Sequence, residues 1–173
     1  SKTVIVTAGG TPIKLGVPGE IEYAGKGVSY CAICDGHFFR GHTIAVVGGG
    51  DAATEEADFL TRYAEKVYLV HRRDELRSSK ILQQRLFANP KVEMVWNKVV
   101  ERVEADDQGL VNNLKLRDIN TGEASDLAAT AMFVFIGFRP NTGIIDGHVD
   151  HDEMGYVRTD ANMQTSIRGL FAA

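Results

Sequence analysis

Apolar positions along this chain fall into short runs separated by glycine-rich and polar turns. Residues 3–7 form a β-branched run that ends at Ala8-Gly9-Gly10-Thr11-Pro12, which predicts a strand entering a turn. Residues 13–30 are Gly-rich and weakly periodic and read as an extended linker. Ile44-Ala45-Val46-Val47 is too apolar to face water and predicts a buried strand. Gly48-Gly49-Gly50 turns the chain, and Ala53, Ala57 and Leu60 then recur at helical spacing over 52–63. With a further strand at 67–70, residues 44–70 predict one βαβ unit.

A helix is expected over 79–87, ending at Asn89-Pro90. Residues 92–96, 99–104, 110–118 and the stretch before Ala128 read as strands. Asp106-Asp107-Gln108-Gly109 and Asn120-Thr121-Gly122-Glu123 are turn sequences, so these strands predict an antiparallel insertion rather than more crossovers. Residues 131–136 are the last buried strand, broken by Gly137-Phe138-Arg139-Pro140-Asn141-Thr142. Loop follows up to the apolar 170–173. A chain that starts and stops on strand patterns is expected to be a fragment.

Composition narrows the function classes. The chain has 173 residues, 44% hydrophobic and 24% charged, as in ordinary globular proteins. A formal net charge of −4 gives no electrostatic reason to expect nucleic acid. No apolar run approaches the roughly 18 residues of a membrane span, and the first residues lack the apolar region of a signal peptide, so the expected location is cytoplasmic with no membrane partner. There are two cysteines, too few for a disulfide scaffold, with two residues between them. Structural zinc usually needs four ligands and no second ligand pair is present, so no metal is expected.

Three motifs carry chemistry. Gly48-Gly49-Gly50-Asp51-Ala52-Ala53 fits G-x-G-x-x-A between a strand and a helix. The first glycine permits the tight turn, Gly50 lets backbone approach a pyrophosphate, and Ala53 allows close helix–strand packing. The helix N-terminus then offers N–H groups to the phosphates. About 20 residues on, where an NAD-binding fold usually has an acid, this chain has His71-Arg72-Arg73, with Arg77 one turn later. Guanidinium groups match a 2′-phosphate, so NADPH is expected over NADH. Finally, Cys31-Ala32-Ile33-Cys34-Asp35-Gly36 places a carboxyl group directly after a CxxC. A helix N-terminus lowers a thiol pKa, and Asp35 can supply the proton that a leaving thiolate takes up.

Together these motifs resemble the low-molecular-weight thioredoxin reductases. Cys31-Ala32-Ile33-Cys34-Asp35-Gly36 is similar to their C-A-x-C-D-G, and Gly48-Gly49-Gly50-Asp51-Ala52-Ala53-Thr54-Glu55 to their NADPH loop. His71-Arg72-Arg73-Asp74 with Arg77 is similar to their phosphate clamp, and Ile136-Gly137 with Pro140-Asn141-Thr142 to the segment closing their NADPH domain. Thr165-Ser166 with Gly169-Leu170-Phe171-Ala172-Ala173 resembles their flavin motif, cut before its Gly-Asp. The resemblance implies an α/β, Rossmann-like FAD/NAD(P)-binding three-layer fold with a central parallel sheet and an antiparallel β insertion. It implies an NADPH-binding domain at 13–142 flanked by pieces of an FAD-binding domain at 1–12 and 143–173. NADPH would reduce FAD, FAD the Cys31–Cys34 disulfide, and the dithiol thioredoxin, in a homodimer when full length. Cys34 would face the flavin, Cys31 would attack the partner, and Asp35 would be the acid/base. Hinges are expected before Cys31 and around Arg139-Pro140-Asn141. With FAD's own glycine fingerprint missing, this chain is expected to be unable to turn over alone. The alternatives are the flavoprotein subunit of alkyl hydroperoxide reductase, whose C-x-H-C has Ile33 in place of His here, and a non-enzymatic redox-sensing module.

Overall fold

The computed structural model describes residues 2–173. In chain order the strands and helices are β1 (Val4–Val6), β2 (Gly10–Pro12), β3 (Val28–Ser29), α1 (Ala32–Asp35), β4 (Thr43–Gly48), α2 (Asp51–Leu60), β5 (Lys66–Val70), α3 (Lys80–Phe87), β6 (Val92–Val95), β7 (Lys98–Ala105), β8 (Val111–Asp118), β9 (Ala124–Ala128), β10 (Met132–Phe135), β11 (Phe138–Pro140) and β12 (Leu170–Ala172). They divide into two compact units, one made of residues up to Ile13 and from Gly137 on, the other of Lys14–Ile136.

The larger unit is built on a five-stranded parallel sheet in the order β3-β10-β4-β5-β6. Strand β4 lies at its centre, which is why Ile44, Ala45, Val46 and Val47 are all buried. Successive side chains point to opposite faces. Ile44 and Val46, with Phe133 and Phe135 of β10, face Ala53, Ala57 and Leu60 of α2 and Leu86 of α3. Ala45 and Val47, with Met132 and Val134, face Val100, Val103, Leu114 and Leu116. Those last four come from the antiparallel sheet β7-β8-β9. Helices, parallel sheet and antiparallel sheet are thus three layers around two cores.

Two sequence expectations need correction. Residues 13–30 are not an extended linker: Val28 pairs with Met132 in the sheet, and Leu15, Val17 and Tyr23 pack on the second core. The Glu20 side chain, fully buried, accepts hydrogen bonds from the backbone N–H groups of Leu15 (2.9 Å) and Gly16 (2.7 Å) and from the Tyr30 hydroxyl (3.0 Å). Burial and this carboxyl partner push the Tyr30 pKa well above its ordinary value. Gly19 and Gly27, at φ 87° and 122°, bring the chain against Val103 and Val111, where a Cβ would collide. Glycine richness here reflects close packing, which sequence periodicity does not register. Strand 92–95, grouped above with the antiparallel insertion, is instead the parallel edge of the main sheet, with Val67 paired to Val92.

In the smaller unit β1 runs parallel to β12, and β2 pairs antiparallel with β11 through Phe138↔Pro12 and Pro140↔Gly10. Residues 138–140 therefore leave the parallel sheet, and the two compact units part between 136 and 137.

Candidate active site

The dithiol loop begins where β3 ends. Cys31 has extended backbone and caps α1, its sulfur accepting from the Cys34 N–H at 3.2 Å, and the two cysteines are joined as a disulfide with Cα atoms 5.3 Å apart. Ala32 is buried, which anchors the short helix, and Gly36 follows because a Cβ there would run into Leu60. Cys31 is half-buried and Cys34 exposed. Exposed Ile33 and Phe38 flank the bridge, at 74% and 69%. Asp35 does not stand alone: the Ser29 hydroxyl donates to its Oδ2 at 2.6 Å. Ser29 also accepts from the Cys31 N–H at 3.1 Å. No sequence signal pointed to Ser29; the cue would have been a hydroxyl at the last sheet residue, two positions before the first cysteine.

The glycine loop lies at the carboxyl end of β4, two strands from β3 in the same sheet, since β10 separates them. In parallel α/β sheets this carboxyl edge is where ligands bind. A cavity of about 370 Å³ opens there, lined by Gly48, Gly49, His71, Arg72, Arg77 and Ile136 among others. A Cβ on Gly48 would overlap the Phe135 carbonyl and Ala53, so Ala53 does let helix and strand close up. A Cβ on Gly50, by contrast, would meet nothing within 4 Å. That open space lies at the N-terminus of α2, which has no side-chain cap. Free N–H groups facing open space fit a pyrophosphate.

The clamp loop is tied back onto the glycine loop. The Arg77 N–H donates to the Gly49 carbonyl at 2.8 Å, and the Lys98 N–H to that of His71 at 3.2 Å. The buried His71 ring fills the space a side chain at position 49 would need. Burial holds His71 below its ordinary pKa, assisted by the charges of Arg73 and Arg77 against the backbone groups of Gly48 and Glu75, and its Nε2 has no hydrogen-bond partner among the described residues.

The remaining expected residues are placed differently. Asp51 turns away to accept from the Ser79 N–H at 2.7 Å, fixing the entry to α3. Ala52 and Glu55 are exposed on α2, and Arg73 does not line the cavity, although its carbonyl accepts from the Asn97 N–H at 3.3 Å. Gly137 belongs to the smaller unit, where its carbonyl accepts from the Ile13 N–H at 3.0 Å. Lys14 and Lys98 line the cavity and were not singled out by the sequence, because neither falls in a motif.

The pyridine nucleotide-disulphide oxidoreductase family matches residues 1–173. The chain belongs to this family. As a member of the pyridine nucleotide-disulphide oxidoreductases it is 49% identical over 174 residues to a thioredoxin reductase of Streptomyces coelicolor, covering 100% of this chain and 53% of that protein. It is 47% identical over 173 residues to one of Bacillus subtilis, covering 100% of this chain and 54% of that protein. Among solved structures, Lactococcus lactis thioredoxin reductase in its FR conformation superposes with a TM-score of 0.90 at 40% identity, over 98% of this chain and 56% of that one. The T. acidophilum thioredoxin reductase also gives 0.90, at 32% identity, over 100% and 57%. The chain spans about half the length of these relatives. The oxidoreductase fold is the expected Rossmann-like α/β architecture, and no helix among its described residues is long and apolar enough to cross a membrane.

Proposed function

We propose that this chain is the NADPH-binding, dithiol-bearing part of a thioredoxin-disulfide reductase, one that works in the cytoplasm and as a homodimer when full length. The observation that carries the reading is the shared carboxyl edge: a closed Cys31–Cys34 disulfide follows β3 and a cavity of about 370 Å³ opens after β4, two strands apart. That spacing is about 10 Å across the sheet, so electron donor and acceptor belong to one rigid scaffold.

Bound in the cavity, NADPH would supply the two electrons for disulfide reduction as a hydride. The open face at Gly50 and the α2 N-terminus would hold its pyrophosphate, and Arg72 and Arg77 its 2′-phosphate. FAD, the usual carrier between nicotinamide and dithiol in this chemistry, would be held in the full-length protein beside the flavin-motif residues 165–173, since the complete glycine fingerprint of this chain is taken up by the larger unit.

Reducing the disulfide takes two electrons and two protons. The Cys31 thiolate then attacks one sulfur of the thioredoxin disulfide, and the sulfur released there takes a proton from Asp35. Cys34 attacks Cys31 in the mixed disulfide, which frees the second thioredoxin thiolate and restores the Cys31–Cys34 bond. Two electrons pass to the partner in sum. Exposed Ile33 and Phe38 give an apolar partner surface something to bury around the bridge.

The test is an assay of the full-length protein with NADPH and a panel of oxidised thioredoxins. Thioredoxin-dependent NADPH oxidation is expected, and loss of it in Cys31→Ser. A protein that oxidises NADPH yet reduces no thioredoxin overturns the reading.

A further inference from the structure

We propose that Ser29 is a positioning residue for the dithiol chemistry, holding the Asp35 carboxyl in one place whether or not it carries a proton. The inference rests on the reading of Asp35 as acid/base. Ser29 is the last residue of β3, level with Phe133 of β10, and only 5% exposed. Its Oγ lies 2.6 Å from Asp35 Oδ2, 3.1 Å from the Cys31 nitrogen and 3.4 Å from the Cys31 carbonyl oxygen.

A hydroxyl has one hydrogen and two lone pairs. One lone pair is used permanently by the Cys31 N–H. With Asp35 ionised, the Ser29 hydrogen points at Oδ2, a charge-assisted bond of the length seen here. With Asp35 protonated, the carboxyl O–H donates to the second Ser29 lone pair, and the Ser29 hydrogen turns to the Cys31 carbonyl. Both states keep the Ser29 hydroxyl, Asp35 Oδ2 and the Cys31 N–H paired without moving a heavy atom. A carboxyl that must accept and release a proton in each cycle therefore keeps its geometry. Since Ser29 also holds the backbone of Cys31, the acid and the first cysteine are referred to the same point on a rigid sheet edge.

A hydroxyl with a second acceptor within reach serves both protonation states of its carboxyl partner. Alanine at this position would leave Asp35 free to turn to solvent and the Cys31 N–H unpaired. Valine would do the same while keeping the volume of threonine, so the Ser29→Thr and Ser29→Val pair isolates the hydroxyl from packing.

The proton step can be read in this chain without any cofactor. When reduced dithiothreitol opens the Cys31–Cys34 bond, its thiolate attacks one cysteine sulfur and the other cysteine leaves as a thiolate, taking a proton. The second dithiothreitol thiol then resolves the mixed disulfide. Two electrons and two protons pass to the protein, and dithiothreitol ends as its cyclic disulfide. Reduction rates are measured from pH 5.5 to 8.5 for wild type, Ser29→Ala, Ser29→Val, Ser29→Thr, Asp35→Asn and the Ser29→Val/Asp35→Asn double variant, after circular dichroism shows each to be folded. A thiolate leaves fairly readily unaided, so the expected loss is below the usual general-acid range, about tenfold in Asp35→Asn and in Ser29→Val. Ser29→Thr keeps the wild-type pH profile, Ser29→Val takes on that of Asp35→Asn, and the double variant is no slower than either single one. If Asp35→Asn leaves the rate unchanged, the reading of Asp35 fails. If Asp35→Asn is slow but Ser29→Val is not, or if Ser29→Thr fails to rescue, the assignment of Ser29 fails while that of Asp35 stands. Should Ser29→Val not fold, slow reduction in Ser29→Ala with no further loss on adding Asp35→Asn decides in its place, and additive losses overturn the proposal.

Discussion

A Cβ on Gly48 would overlap the Phe135 carbonyl, one on Gly49 the His71 ring, and one on Gly50 nothing. Three adjacent glycines thus answer to backbone, to a side chain and to empty space. Gly48→Ala should cost about 1–3 kcal/mol of stability by overpacking, whereas Gly50→Ala should cost about 0.5 kcal/mol and instead weaken NADPH binding. Urea melts and a nucleotide titration of the two variants separate these effects. His71, packed under Gly49, carries a pH dependence whose sign follows from its lowered pKa. Above the ordinary value of 6.5, folded and unfolded chains both hold it neutral and nothing is lost. Below that, the unfolded chain gains a proton that the folded one resists, so stability falls as the pH drops. Thermal melts from pH 8 to 5 should show a steeper decline for wild type than for His71→Gln. Equal slopes would mean that the ring is not buried neutral.

Glu20 illustrates what is decided at the level of elements. Its three hydrogen bonds close the loop that enters the larger unit onto Tyr30, the residue before the dithiol. Glu20→Ala would leave two backbone N–H groups and a phenol unsatisfied, and we expect a loss of about 2–4 kcal/mol in urea unfolding. A change under about 0.5 kcal/mol, within the ordinary range for an exposed site, would show that water replaces the carboxyl. The buried strands β4, β5 and β10 and the helices α2 and α3 were legible because their apolar runs and spacings are local facts. The packed loop 14–27 was not, since nothing in a glycine–polar stretch says that Gly19 and Gly27 abut Val103 and Val111. Likewise 92–95 carries the same apolar signal whether its neighbour runs parallel or antiparallel, and only pairing with β5 decides.

Across the whole molecule, both hydrophobic cores draw on Lys14–Ile136 alone. That segment, expressed by itself, should unfold cooperatively and bind NADPH, and amides of the smaller unit should exchange faster than those of β4 and β10 in the intact chain. An excised segment that fails to fold would show that the flanking strands contribute to the core. Nucleotide preference belongs to this scale too, because the cations facing the cavity come from separate segments. Replacing both Arg72 and Arg77 by alanine should weaken NADPH binding by about tenfold or more and leave NADH within about twofold, each charge-assisted pair being worth about 1.5–3 kcal/mol at most. An unchanged NADPH/NADH ratio would sink the clamp.

The order of motifs, the βαβ core and the chemistry of dithiol, glycine loop and arginines were determined by sequence alone, because each depends on residues within a turn or two of one another. The tertiary structure decided what depends on segments far apart in the chain. It set β3 and β4 two strands apart on one sheet edge, turned Asp51 away to the entry of α3 and left Arg73 outside the cavity that Lys14 and Lys98 line. It also put the Ser29 hydroxyl between Asp35 and Cys31. A hydroxyl two positions before a cysteine has no meaning until a strand ends there and a helix turns the carboxyl back onto it.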